Sequence, residues 1–270
     1  MSGILLRRVI AAWRLRLVIV CAALALWGFL LPGVYATFGA DFKELVESGL
    51  FGDVFETFTA LAGGTVFTLT GSLALGLVHP IAFALVAVFA VGYPAAAVAG
   101  ERQSGTLEVL LARPIGRRTV WLTHLVATVG FVAACVAAIE AGMVAGAVVF
   151  GVAAELRVDG LALAWANAVA LFLAIGSVGL AASVSTDRLG PALGVTLGIT
   201  IAGYAVEILG TLWPDAAWLR PASLFFYFQP TEVLSGRADP VDLAVLGVVA
   251  AGAAGWAWWV FPRRDLAAPS

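Results

Sequence analysis

Six long apolar runs constrain what this chain can fold into more than any other feature. A helix that crosses a bilayer needs about 20 mostly apolar residues. The runs cover residues 15–36, 70–99, 121–152, 161–186, 190–213 and 241–261. Only 12% of the 270 residues are charged whereas 62% are apolar, which is too little charge to cover a soluble domain. The sequence therefore predicts an all-α integral membrane protein, with residues 1–270 forming one transmembrane domain, and excludes a soluble enzyme.

The second run is ambiguous, because no formal charge occurs between Glu56 and Glu101 and His79-Pro80 could be the tip of a hairpin of two short spans. Counting one span here places most of the 15 basic residues on one side, as the bias of Lys and Arg toward cytoplasmic loops requires. Those residues are Arg7, Arg8, Arg14, Arg16, Arg102, Arg113, Arg117, Arg118, Arg188, Arg263 and Arg264. A hairpin would instead export the arginines of the loop at 100–120. We therefore predict six transmembrane helices with both termini in the cytoplasm.

Segments outside the spans also carry structural patterns. Residues 4–16 mix apolar residues with arginines, which predicts an amphipathic elbow helix lying in the membrane interface before the first span. With six spans, residues 54–69 become an outer segment packed on the membrane or dipping into it. The last outer loop, at 213–240, combines prolines with aromatic residues, which favour the interface. We expect short re-entrant or interfacial helices there, either controlling the outer mouth or simply capping it.

The loop at 100–120 encodes a short helix on the cytoplasmic side. Ser104 or Gly105 can start it, Glu108 lies early, where the positive end of a helix favours an acid, and Pro114 ends it. Its apolar stripe consists of Leu107, Leu110 and Leu111. Such a stripe on a helix that faces the cytoplasm needs something to bury against, either neighbouring helices of the chain or another protein.

The same loop carries a family resemblance. The run Gly100-Glu101, then Gly105-Thr106-Leu107-Glu108-Val109-Leu110-Leu111, Pro114 and Arg117-Arg118, resembles the signature of type-2 ATP-binding-cassette (ABC) permeases. The six spans and the Phe261…Arg264-Asp265-Leu266 tail are similar to that family as well. The resemblance implies a coupling helix that seats in a groove of an ATPase subunit. The docking residues that it implies are Glu101, Arg102, Gly105, Thr106, Leu107, Glu108, Leu110, Leu111 and Pro114. One departure is His124, where related sequences often carry a lysine, which puts a charge-based role there in doubt.

The chain lacks the means to hydrolyse ATP. A phosphate-binding loop of the form G-x-x-x-x-G-K-[ST] needs a lysine, and the only lysine, Lys43, has no such glycines before it. We expect no catalytic site and no cofactor in this chain, with ATP and Mg²⁺ on a separate ATPase subunit. The resemblance implies a second permease copy, and we expect an exporter in the cell membrane of a prokaryote. The net charge of −2 gives no sign of a nucleic-acid partner, and Cys21 and Cys135 lack metal-ligand spacing.

Three ionisable residues fall inside the predicted spans. Glu140 and Glu207 lie far along the third and fifth spans, near the outer leaflet. An ionisable group at membrane depth indicates a functional role, so Glu140, Glu207 and His79 are candidates for a substrate path or a gate. The alternatives are contact with the outer interface or a helix-to-helix hydrogen bond for the glutamates, and a proline kink for His79.

Glycines recur at four-residue spacing in two of the spans. Gly142 and Gly146 do so in the third, and Gly190, Gly194 and Gly198 in the fifth. Because small residues let helices approach closely, we predict packing seams within or between subunits.

Two other classes of function compete with a permease: an intramembrane enzyme that uses Glu140 or Glu207, and a secondary transporter. The sequence has no paired glutamates, no two histidines at metal-ligand spacing and no Gly-x-Ser-x-Gly turn. The inner loops have unequal lengths, which argues against two matching transporter halves. Neither class needs an apolar helix that faces the cytoplasm, so that helix favours the permease.

Overall fold

The computed structural model describes residues 3–47 and 68–264 of the chain. Over these residues no strand is present, which confirms the predicted all-α class. The α-helices are α1 (Gly3–Glu47), α2 (Leu69–Val78), α3 (Pro80–Ala96), α4 (Ala99–Gln103), α5 (Thr106–Leu111), α6 (Arg117–Val149), α7 (Val158–Ser185), α8 (Leu189–Leu212), α9 (Pro230–Leu234) and α10 (Pro240–Arg263). Most of the predicted outer segment at 54–69, and the Asp265-Leu266 part of the tail, lie outside the described residues.

Five of these helices are long and apolar enough to cross a membrane, namely α1, α6, α7, α8 and α10. Helices α2 and α3 pass the same test together, as a pair bent by 47°. Taken as one bent span, the pair brings the number to the six that the sequence predicts. A bend of 47° falls far short of the reversal that a hairpin of two crossings needs, which favours the single bent span over the hairpin.

The break between α2 and α3 follows from the proline after His79. Pro80 lacks an N–H and disfavours the helical conformation in the residue before it, and His79 is extended, with φ −66° and ψ 138°. The imidazole caps the second half of the span, because His79 Nδ1 accepts a hydrogen bond from the Ile81 N–H over 3.2 Å. The ring also packs on Trp27, with ring centroids 4.7 Å apart. In this position His79 caps α3 at a proline kink.

The amphipathic N-terminal segment is the first part of α1, so the prediction of a separate elbow helix is wrong. The helix runs on because residues 4–27 contain neither glycine nor proline to interrupt it. The amphipathic pattern still has a consequence, since Leu5 and Val9 are buried while Arg7 and Arg8 are exposed. Leu5 and Val9 therefore pack on the protein's own helices.

The loop before the last span folds into short helical pieces, as the sequence predicts. Two 3-10 segments, Pro214–Ala222 and Leu224–Tyr227, precede α9. The Ser223 hydroxyl donates a hydrogen bond to the Gly203 carbonyl over 2.8 Å, and Asn167 Nδ2 donates to a carbonyl of the second segment over 2.9 Å. Hydrogen bonds therefore fasten this loop to α7 and α8.

Helices α1 and α6 pack with backbone close to backbone. A Cβ atom at Gly142 would lie 2.0 Å from the carbonyl oxygen of Ala25, and one at Gly28 would lie 2.1 Å from that of Ile139. Gly146 is similarly restricted on its α1 side. These contacts leave room for glycine alone. The predicted seam at Gly142 and Gly146 is therefore confirmed, and it lies within the chain.

Replacing Gly142 by alanine is expected to lower the free energy of unfolding by about 1–3 kcal/mol, because the added methyl group forces α1 and α6 apart. Thermal unfolding of the purified chain in mild detergent measures this. Gly130→Ala, on the same helix α6, is the matched control, since a Cβ atom at Gly130 meets nothing within 4 Å. Equal melting temperatures for the two variants would contradict the tight seam.

Candidate functional site

A sharp turn joins α4 to α5 at the arginine-rich end of the bundle. Gly105 adopts a left-handed conformation with φ 71°, which glycine reaches without steric cost. Hydroxyl groups close the turn, because Ser104 Oγ donates to the Gly100 carbonyl over 3.0 Å and Thr106 Oγ1 to the Glu101 carbonyl over 3.1 Å. The predicted short helix is confirmed as α5, which ends ahead of the proline.

The apolar stripe of α5 is buried by the chain itself. Leu107 is 1% exposed and Leu110 is 6% exposed. Both belong to one cluster with residues from the start of α1, the start of α6 and the end of α10, including Leu5, Val120 and Phe261. Leu111 is partly buried against the same cluster. The side chains of Leu107 and Leu110 therefore hold α5 in place, and the expectation that they contact a partner directly is corrected.

The opposite side of α5 faces outward and carries one large apolar residue. Val109 is 68% exposed. We define the exposed α5 face by its exposed members Thr106, Glu108, Val109, Arg113 and Pro114. Val109 lies off the leucine stripe, so the helical periodicity of the sequence does not indicate it. An apolar residue on the polar side of a short surface helix is the signal that indicates it.

Arg102 points away from the exposed α5 face. Its guanidinium and that of Arg264 both pair with the Asp187 carboxylate, in a group that we call the Asp187 cluster. Arg264 Nη1 also donates to the Thr186 carbonyl over 2.9 Å, and Gln103 Oε1 accepts from the α8 backbone over 2.9 Å. The Arg102 side chain is only 11% exposed. Its place in the structure is a link from α4 to the α7–α8 turn and to the end of α10.

Glu101 turns inward toward the N-terminal part of α1. Its Oε2 atom is buried and has no hydrogen-bond partner among the described residues. Burial raises the pKa of the Glu101 carboxyl above its ordinary value, and the nearby Arg8 guanidinium offsets part of that effect on the pKa. Glu101 therefore joins Leu107, Leu110 and Arg102 as a residue of the predicted docking set that the structure places inside the chain's own packing.

An apolar cavity of about 240 Å³ lies between α3, α7 and α8, and we call it the aromatic cavity. Four rings from separate segments line it: Phe83, Phe172, Tyr204 and Phe225. The Phe83 ring makes edge-to-face contacts with the other three at centroid distances of 5.4–5.7 Å. Because the four residues are far apart in the chain, no local pattern in the sequence indicates this cavity.

Glu207 forms an ion pair with Arg220. Its Oε1 accepts hydrogen bonds from Arg220 Nε over 3.0 Å and from Arg220 Nη2 over 2.6 Å. Arg220 lies in the 3-10 segment Pro214–Ala222, so the pair ties that segment to α8. Glu207 does not line the aromatic cavity. This geometry matches the alternative in which the glutamate makes a helix-to-helix hydrogen bond.

Glu140 remains without a partner in the described part of the chain. Its Oε1 atom is buried and accepts no hydrogen bond there, and it does not line the aromatic cavity. No hydrogen bond joins any two of Glu140, Glu207 and His79. Among the described residues, no three His, Cys, Asp or Glu side chains form a group that could hold a metal ion.

Residues 7–266 match the model of a protein family described as "ABC-2 family transporter protein". The match covers nearly the whole chain and includes every described span. No curated protein matches the chain.

Proposed function

This chain belongs to the ABC-2 transporter family as a membrane-spanning permease subunit, and we propose that it exports its substrate by alternating access. Family membership implies association with an ABC ATPase subunit. We propose that this ATPase is a separate chain that binds ATP and Mg²⁺, and that the permease has no cofactor. The proposed setting is the cell membrane of a prokaryote. Both termini would lie in the cytoplasm, because the arginine-rich side of a membrane protein faces the cytoplasm.

The exposed α5 face carries the proposal. Val109 offers an apolar contact, and Glu108 and Arg113 flank it with opposite charges, which is the composition of a small protein interface. We propose that this face seats in the ATPase. The buried leucines behind it make α5 part of a packed unit with α1, α6 and α10, so a displacement of α5 would carry those helix ends with it.

The Asp187 cluster supplies a second route for the same displacement. Through Arg102 and Asp187, α4 is joined to the turn between α7 and α8, and through Arg264 to the end of α10. Both α7 and α8 line the aromatic cavity. We propose that the Asp187 cluster transmits motion from the ATPase to the helices around that cavity.

We further propose that the aromatic cavity is part of the substrate path. Its lining is almost entirely apolar and aromatic, which suits a lipophilic substrate. Ala84 lines it as well and is exposed toward it, so a larger side chain at this position would occupy the space.

Ala84→Trp is expected to abolish saturable binding of a lipophilic fluorescent dye to the purified complex, because the indole fills the cavity. Dye emission measured against protein concentration reports the binding. Ala251→Trp, at an exposed position on α10 away from the cavity, should bind the dye as the parent does. Unchanged dye binding by Ala84→Trp would remove the aromatic cavity from the substrate path.

A second copy of the chain is the proposed partner within the membrane. A Cβ atom added at Gly190, Gly194 or Gly198, the glycines of the predicted seam, would meet no other part of the described chain within 4 Å. Val195 and Ile201 on the same helix are exposed. A stripe of small residues flanked by exposed apolar side chains suits close packing between helices, and we propose that α8 packs there against its counterpart.

Purification of the tagged chain from its native membrane in mild detergent tests the proposed function. We expect an ATPase with a phosphate-binding loop to co-purify, and to be identified by mass spectrometry. An intact chain that purifies alone would instead favour a secondary transporter or an intramembrane enzyme. The unpartnered carboxyl of Glu140 would then be the first group to replace.

A further inference from the structure

A second pocket, of about 250 Å³, lies at the arginine-rich end between α1 and the junction of α3 with α4. We call it the inner pocket. It shares no lining residue with the aromatic cavity. Its polar lining comes from Arg8, Tyr93, Glu101, Ser104 and His124. Charged groups of both signs therefore meet in one small space.

Two atoms of the inner pocket are buried without a hydrogen-bond partner in the described part of the chain: His124 Nε2 and Glu101 Oε2. His124 is only 3% exposed. Buried polar atoms in folded proteins nearly always have a partner, and leaving them without one costs free energy. Two such atoms on the walls of one pocket indicate that something else satisfies them.

The hydrogen-bond direction at His124 follows from its neighbour. The Tyr93 hydroxyl lies 2.8 Å from His124 Nδ1. Tyr93 is buried and its hydroxyl makes no other hydrogen bond among the described residues, so donating to Nδ1 satisfies its proton. A neutral imidazole that accepts at Nδ1 carries its proton on Nε2. The inner pocket thus presents donors from His124 and Arg8 and an acceptor from Glu101.

We propose that the inner pocket binds the zwitterionic phosphoethanolamine headgroup of a phospholipid. The primary ammonium would donate to Glu101, and the phosphate would accept from Arg8 and His124. Trp13 lines the same pocket with an aromatic ring, which suits the boundary between headgroups and acyl chains. Along the same part of α1, Ile4, Ile10 and Leu15 are exposed and offer an apolar surface for acyl chains.

A lipid is favoured over a free zwitterion because of this apolar surface beside the pocket. The pocket would distinguish ethanolamine from choline by the ammonium N–H groups, which a trimethylated choline headgroup lacks. A headgroup in this position would join α1 to α4 directly behind the exposed α5 face. The proposal rests on pocket geometry alone and does not depend on the transport function.

Retention of lipid by the full chain in nanodiscs tests the proposal. The nanodiscs contain phosphatidylethanolamine and phosphatidylcholine in equal amounts, and native mass spectrometry counts the lipids that stay bound. We expect the parent chain to retain phosphatidylethanolamine preferentially. Glu101→Gln should lower that preference about tenfold, because it removes the charge-assisted hydrogen bond to the ammonium. Arg8→Ala should instead lower the retention of both lipids, because the phosphate that it binds is common to both.

Two controls keep the result interpretable. Glu108→Gln and Arg7→Ala remove exposed charges of the same kinds outside the pocket, and should retain the parent's preference. A matching melting temperature for Glu101→Gln shows that the variant folds. Equal retention of both lipids by the parent, or an unchanged preference in Glu101→Gln, or unchanged lipid retention in Arg8→Ala, would overturn the proposal. Binding of soluble phosphoethanolamine without retention of the lipid would overturn the lipid as the source.

Discussion

Val109→Asp is expected to release the ATPase subunit from the purified transporter and to weaken the complex at least about tenfold, because a central apolar contact is typically worth 1–2 kcal/mol or more. The aspartate would also carry an unpaired charge into the interface. Since Val109 is 68% exposed and packs little against its own chain, the melting temperature of the permease should stay the same. Co-purification and ATP-driven export measure the two effects.

The control for this variant is Val158→Asp. Val158 is 79% exposed and begins α7 at the other end of the bundle, where an aspartate is favourable near a helix N-terminus. This variant should retain the ATPase. Retention of the ATPase by Val109→Asp as well would remove the exposed α5 face from the interface.

Leu107→Asp provides an informative contrast. Its side chain is buried in the cluster that holds α5 to the helix ends. A carboxylate there would therefore lower the free energy of unfolding by about 2–5 kcal/mol. We expect this variant to lose both the packing of α5 and the ATPase. The difference between the two variants separates residues that contact a partner from residues that position those contacts.

Asp187→Asn is expected to leave the ATPase bound while export falls. The substitution removes the charge that holds Arg102 and Arg264 together. We expect the coupling free energy between the ATPase and the permease to fall by about 0.5–2 kcal/mol. This corresponds to a loss of roughly two- to thirtyfold in the number of substrates exported per ATP. The effect on stability should be small, because the Asp187 side chain is 62% exposed and solvent screens the pairs.

Asp159→Asn is the matched control for the Asp187 variant. Asp159 forms an exposed pair with Arg157 at the opposite end, with Nη2 and Oδ2 2.7 Å apart. Both variants should bind the ATPase, and the control should export as the parent does. Normal export per ATP in Asp187→Asn would show that the Asp187 cluster does not transmit the motion.

Several features of the fold follow from local patterns in the sequence. The length of each apolar run predicts the spans, because crossing a bilayer sets a minimum length for a helix. Pro80 predicts the bend at His79, since a proline alters the backbone on its own N-terminal side. The spacing of Gly142 and Gly146 predicts a close helix contact, and at both positions the α1 backbone leaves no space for a Cβ atom.

The candidate site was harder to predict, for a reason that Leu107 and Val109 illustrate. A helical stripe shows which side chains share a face. It does not show whether other helices of the same chain or a partner protein covers that face, because both satisfy the same pattern. The chain covers the leucines itself with α1, α6 and α10. Val109, which does not belong to the leucine stripe, remains exposed on the surface. The same limit applies to Glu207, whose partner Arg220 lies on a segment folded back onto α8.

The order of spans and breaks along the chain and the position of α5 are local properties. They depend on residues within a few turns of one another. The direction in which α5 faces, the Asp187 cluster, the aromatic cavity and the inner pocket all join residues from separate helices. Their geometry depends on how the helices pack, which is a sum of many long-range contacts and has no signature within any one segment.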